Sequence, residues 1–180
     1  MVLRVIILPV AEVTPHHLTF DDRLVEDLDT NLKMYPPIRS ARDRDALREA
    51  LADGTIDVVA TDHAPHTVDE KAVGFEDAPR GVLGLETAAA AVWEIIPDER
   101  RFFEVMSINP ARIAGLERHG VPVQPGSPAN LVVFDPDREW TVTCFRSKSA
   151  NSPYLGMTLR GRPVATIFEG VITHELEGVR

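Results

Sequence analysis

A short run rich in β-branched residues, Ile56-Asp57-Val58-Val59-Ala60, stops on the polar turn Thr61-Asp62-His63-Ala64-Pro65-His66. The run is too short for an ordinary helix, and Val and Ile pack well on a pleated surface, so it reads as a buried strand. A helix leads into it. Ser40 can act as its N-cap, Ala46, Leu47, Ala50 and Leu51 form an apolar stripe at helical spacing, and Gly54 ends it. Ahead of the helix, Val5 to Val13 is again apolar and β-branched, as in a strand buried on both faces, and Pro15-His16-His17 closes it. Strand, helix, strand is the βαβ unit of a parallel sheet, which places this chain in the α/β class.

The intervening segment, residues 18–32, is polar and Asp-rich and reads as a loop with a short helix, followed by an extended piece from Leu32 to Tyr35. Residues 67–82 read as a long surface loop, a kind usually tied to function. Leu85 to Ile96 is a strong helix, and two short ones are expected around Phe102–Met106 and Pro110–Ala114. The texture changes near Gly115. Beyond it Ala129–Phe134, Trp140–Thr143, Val164–Phe168 and Val171–Glu175 read as strands of a small antiparallel unit. The expected division is residues 1–118 and 119–180.

The turn after Ala60 is the sharpest site signal. The C-terminal ends of parallel strands are where α/β folds build active sites. An Asp there can ligate a divalent metal and take a proton from metal-bound water. His66 can hydrogen-bond a substrate carboxylate. The alternative for Asp62 is a simple cap, and for His63 a satisfied loop histidine. His16-His17 is a weaker candidate by the same strand-end argument, against a packing role. Lys33 and Arg39 can meet an anion or simply be solvated. His119 and His174 read as exposed tail positions. A catalytic zinc takes about three protein ligands; no His-x-His lies on a strand, so these residues do not assemble a complete metal centre.

Other classes are disfavoured by composition. The net charge of −9 argues against nucleic acid or an anionic membrane as the main partner. The only cysteine, Cys144, excludes an intrachain disulfide and a cysteine zinc motif. No apolar run approaches the ~18 residues that span a bilayer. The apolar start lacks a small-residue cleavage site and is expected to be a strand rather than a signal peptide, with the cytoplasm as default location.

Several runs, in order, resemble dihydroorotases of the single-chain bacterial class. They are Ala11-Glu12-Val13-Thr14-Pro15-His16-His17-Leu18, Lys33-Met34-Tyr35-Pro36-Pro37-Ile38-Arg39, and Asp53 through His66. Glu70-Lys71, Ala78 through Thr87, Asn109-Pro110-Ala111-Arg112-Ile113, Gly126 through Val132 and Ser149 through Tyr154 continue the match. The resemblance implies the C-terminal portion of a metal-dependent (β/α)₈ TIM-type barrel followed by a small β-sandwich subdomain. The first strand would be barrel strand seven and Ile56–Ala60 strand eight. It implies reversible interconversion of N-carbamoyl-L-aspartate and dihydroorotate in pyrimidine biosynthesis, with zinc as cofactor. Asp62 matches the aspartate that ligates zinc and carries the proton. His66 matches a residue binding the substrate carboxylate. Arg80 and Gly81 match loop positions whose backbone contacts substrate, the first more often an aromatic. Tyr35 stands where the family usually has a substrate-binding Asn.

The family's His-x-His motif, its bridging carboxylate or modified lysine and its two further metal histidines all precede the matched region. A full barrel needs about 250 residues, and only the part before Gly115 fits one. The expectation is therefore a partial chain, inactive alone. Its open parallel edge favours homo-oligomers or poor solubility. Competing readings are a non-catalytic partner of aspartate transcarbamoylase and another cyclic amidohydrolase, of hydantoinase or allantoinase type.

Overall fold

The computed structural model describes residues 9–176. The expected start of the first strand, Val5 to Leu8, lies outside them. Within them, β1 (Glu12–Val13) pairs in parallel with β2 (Val58–Val59), with Glu12 beside Val58 and Val13 beside Val59. The intervening helix α2 (Ala41–Asp53) matches the expected one at both ends. Ser40 and Asp43 form a reciprocal capping box, and Gly54 takes the left-handed conformation (φ 92°) that ends the helix. Arg101 fastens the return into β2, donating from Nε to Leu51 O (2.9 Å) and from Nη2 to Ile56 O (2.6 Å).

His16 and His17 do not simply close a strand. They belong to a short helix, α1 (Pro15–Thr19), capped by Thr14. The polar segment after it forms single turns of 3₁₀ helix at Asp22–Val25 and Thr30–Leu32. The expected surface loop contains one turn of helix, α3 (Val68–Lys71), with a Thr67–Glu70 capping box.

Helix α4 (Ala88–Ile95) sits at the centre. Val92 and Trp93 pack into a cluster with Val13, Leu18, Leu51 and Val59. Ala90 and Ala91 pack into a second cluster with Phe20, Met34, Val82 and Tyr154. α4 is apolar on most of its faces and buries Ala88 and Ala90 through Trp93, leaving Glu94 exposed. The two short helices expected next run almost without a break: α5 (Glu99–Phe103), a turn of π-helix (Glu104–Ile108) and α6 (Asn109–Ile113).

The tail is a three-stranded antiparallel sheet in the order β3 (Leu131–Thr141), β4 (Thr158–Phe168), β5 (Val171–Glu175). Ala129–Phe134 and Trp140–Thr143 are expected as separate strands. Instead β3 runs through, absorbing the irregularity as a register shift between Asp135 and Glu139. The sheet docks on α4. Trp93 Nε1 donates to Pro136 O (2.9 Å), and a Cβ on Gly161 would lie 2.8 Å from the Trp93 ring. The described residues thus form a mixed α/β structure with a parallel pair at one end and one antiparallel sheet. No helix among them is long and apolar enough to cross a membrane.

Candidate active site

β2 delivers the chain into the turn at Thr61–His66. Ala60 N–H donates to Val13 O (3.0 Å), the last link of the parallel pair before the turn. Asp62 follows in the left-handed region (φ 47°), and its side chain is exposed. That conformation is uncommon for a residue with a Cβ, though Asp tolerates it better than most. Backbone strain of this kind concentrates at functional positions.

The turn lies against the segment Arg80–Gly84. His63 bridges to Val82 in parallel register, Ala64 N–H donates to Val82 O (2.9 Å), and Gly84 N–H donates to His63 Nδ1 (3.1 Å). Two glycines permit the approach. A Cβ on Gly81 (φ 132°) would fall 2.5 Å from Ala64 Cβ, and one on Gly84 would fall 2.7 Å from Thr61 O. No atom pair tolerates such separations, so Gly is required at both positions.

His66 is partly buried. Its Nε2 lies 2.9 Å from Arg80 O; a carbonyl offers only lone pairs, so Nε2 carries the proton. Nδ1 faces Glu70 Oε2 at 3.7 Å. Glu70 in turn caps α3, and the Thr67 hydrogen bonds hold its carboxyl below the usual range. Gly81 N–H donates to Lys33 O (2.9 Å), so both Gly81 and Arg80 use backbone groups inside the protein. The Arg80 guanidinium lies over the Tyr35 ring, 5.1 Å from its centroid, and Tyr35 is 70% exposed. Tyr35 and Arg80 therefore touch each other. Both border a cavity of about 570 Å³ with Met34, Ile38 and Phe75.

The structure thus brings His66, Arg80 and Gly81 together, joins Tyr35 through Arg80, and sets Asp62 at the head of the same turn. The remaining candidates serve the fold. His16 is 1% exposed, and burial, reinforced by the neighbouring His17, pushes its imidazole down to about 3. His17 ties Thr14 Oγ1 (2.6 Å) to Pro36 O (2.9 Å) and so holds the chain beside Tyr35. Lys33 Nζ donates to Glu76 O (2.6 Å), Arg39 lies 3.8 Å from Asp43, and His119 stacks on Phe168.

Lys71 and Asn151 were not singled out from the sequence. Lys71 is buried and donates to Thr30 O and Pro79 O, both at 2.8 Å, closing the loop between His66 and Arg80. Burial lowers its ammonium below the ordinary value. Asn151 reaches into the turn from the tail. Neither carries a local signal, because each is defined by partners distant in sequence.

No three His, Cys, Asp or Glu side chains gather into a metal-holding group among the described residues. Asp62 fits the part of one oxygen donor at a strand end. The described residues alone do not supply a complete zinc site.

A dihydroorotase from Mycobacterium leprae (strain TN) is 51% identical over 170 residues, covering 91% of this chain and 40% of the relative. One from Leifsonia xyli subsp. xyli (strain CTCB07) is 46% identical, with 91% and 39% covered. The chain therefore spans about 40% of the length of the curated relatives it matches. In structure it is similar to an L-hydantoinase (dihydropyrimidinase) from Arthrobacter aurescens, with TM-score 0.85 and 32% identity over 95% of this chain and 40% of that one. A D-hydantoinase from Thermus sp. gives TM-score 0.84 at 27% identity, with 92% and 39% covered. Residues 8–173 match the model of the amidohydrolase family, and the chain belongs to that family.

Proposed function

We propose that this chain is the C-terminal part of a zinc-dependent dihydroorotase, which interconverts N-carbamoyl-L-aspartate and dihydroorotate. The observation that carries this is the exposed Asp62 at the end of a parallel strand, in a chain 51% identical to a dihydroorotase. Asp62 would be one metal ligand and would hold and return the proton during ring opening and closure. Zinc, when bound, supplies Lewis acidity and an acidified water. The other ligands belong to sequence outside this chain. His66, Arg80, Gly81 and Tyr35 would face the substrate, with residues 67–82 forming the loop beside it. In the complete protein, residues 1–118 would finish a (β/α)₈ barrel, and the sheet in residues 119–180 would join further strands as a β-sandwich. A cytoplasmic, homo-oligomeric enzyme, able to associate with aspartate transcarbamoylase, follows from the same reading.

The contact between Tyr35 and Arg80 leaves room for a related ring, as in the hydantoinases. A chimera tests both readings. This chain replaces the matched segment of the M. leprae dihydroorotase, and the zinc-loaded product is assayed with dihydroorotate and with hydantoin. Hydrolysis of dihydroorotate alone is expected. Turnover of hydantoin alone would move the assignment to that branch. Turnover of neither, by a folded chimera, would favour a non-catalytic role.

A further inference from the structure

The tail segment that carries Asn151 is the last piece to reach the turn, and it arrives from the far side of the chain. Asn151 is 4% exposed. Its Oδ1 accepts from His66 N–H (2.9 Å), and its Nδ2 donates to Ala64 O (2.9 Å) and Gly81 O (3.2 Å). Its backbone O accepts from Leu83 N–H (3.0 Å). The orientation of the amide is fixed by these partners, because a reversed amide would set an NH₂ against the His66 N–H and an oxygen against two carbonyls. One side chain therefore spans both strands of the candidate site, the turn carrying His66 and the segment carrying Gly81. No other residue does this job by isosteric means. Asp keeps the acceptor and loses both donors; Gln displaces all three bonds by a methylene. The segment is anchored independently by Tyr154, which is 1% exposed and donates from its hydroxyl to Thr19 Oγ1 (3.1 Å).

We propose that Asn151 is a positioning residue: it sets the spacing between His66 and Gly81, and with it the shape of the loop face that residues 67–82 would present to the substrate. This rests on the reading that this loop lies beside the substrate. The spacing itself has consequences that do not need catalysis. With Asn151 in place, His66 stays in the tautomer with hydrogen on Nε2, bonded to Arg80 O. Without it, the turn loosens and the tautomer with hydrogen on Nδ1 becomes populated.

The test compares Asn151→Ala and Asn151→Asp with Tyr154→Phe, which weakens the same segment without touching the turn. Nitrogen-15 NMR of the His66 imidazole and hydrogen exchange at the His66 amide are read in the 180-residue chain. The chimera described above then supplies KM and kcat for dihydroorotate. Asn151→Ala is expected to mix the tautomers, expose the His66 amide, and raise KM about tenfold with little change in kcat, the size of effect expected when a buried hydrogen-bonding group loses its partner. Asn151→Asp should keep the His66 amide protected while still raising KM, and it serves where the Ala variant does not fold. Tyr154→Phe should lower the melting temperature and leave the His66 spectrum unchanged. An unchanged His66 spectrum in both Asn151 variants, or equal changes in Tyr154→Phe, would overturn the proposal. A chimera inactive even with Asn151 intact would count against the dihydroorotase reading only, since the NMR comparison still decides the positioning role.

Discussion

His16 is enclosed with both ring nitrogens lacking a hydrogen-bond partner among the described residues. An imidazole in that position is held neutral, and burial lowers it from 6.5 to about 3. The sign of the linkage follows. Between these two values the unfolded chain binds a proton that the folded chain refuses, so folding is weakened as pH falls below about 6.5, and the loss is complete near the folded value. Asp21 acts in the same direction at lower pH. The Arg23 hydrogen bonds hold its carboxyl down to about 2, so its contribution is present above its ordinary value and fades as pH falls through that one. The melting temperature should therefore drop on acidification from about 6.5 to about 4, and His16→Leu should flatten that drop. An equally steep decline in the variant would remove His16 as its source. At this scale the sequence was only partly legible. Asp62 stands out because the end of a strand is a local feature. His16 looked like a site residue for the same reason, and only its burial separates the two. Asn151 had no local signal, since its side-chain partners lie 70 to 87 residues away.

Among the elements, the sequence was most legible where local chemistry decides. Ser40, Asp43 and Gly54 mark the ends of α2 without help from the rest of the molecule. The reading failed where tertiary packing overrides local preference. Pro136 and its acidic neighbours argue for a turn, yet β3 continues through them because Trp93 holds Pro136 O and the strand stays paired to β4. The pairing of the Thr61–His66 turn with Arg80–Gly84 was equally invisible, although its two glycines are conspicuous afterwards. Gly81→Ala would force a Cβ against Ala64 at 2.5 Å in a left-handed backbone. Its expected cost is about 2–3 kcal/mol, combining the unfavourable φ with overpacking, and is measured by urea denaturation. A variant as stable as the parent would show that the two segments can separate without penalty.

For the whole molecule, the tail is joined to the end that carries the candidate site rather than appended to it. β4 rests on α4, Trp93 of α4 holds Pro136 O of β3, Asn151 bonds into the turn, and Tyr154 anchors its segment at Thr19. A boundary near residue 118 describes a change of sequence texture, but the polar contacts of the candidate site cross it. Asp62 remains the centre of the functional account. Its side chain is exposed and its backbone is left-handed, a conformation that Asn tolerates equally well, so the proposed metal role can be tested without disturbing the turn. The most direct measurement is therefore Asp62→Asn in the zinc-loaded chimera, with dihydroorotate hydrolysis and melting temperature recorded together. The account predicts an unchanged melting temperature and a rate lower by about 10²–10⁴-fold, the range associated with loss of a positioned proton-transfer group. A folded Asp62→Asn chimera that hydrolyses dihydroorotate at the parent rate would contradict it.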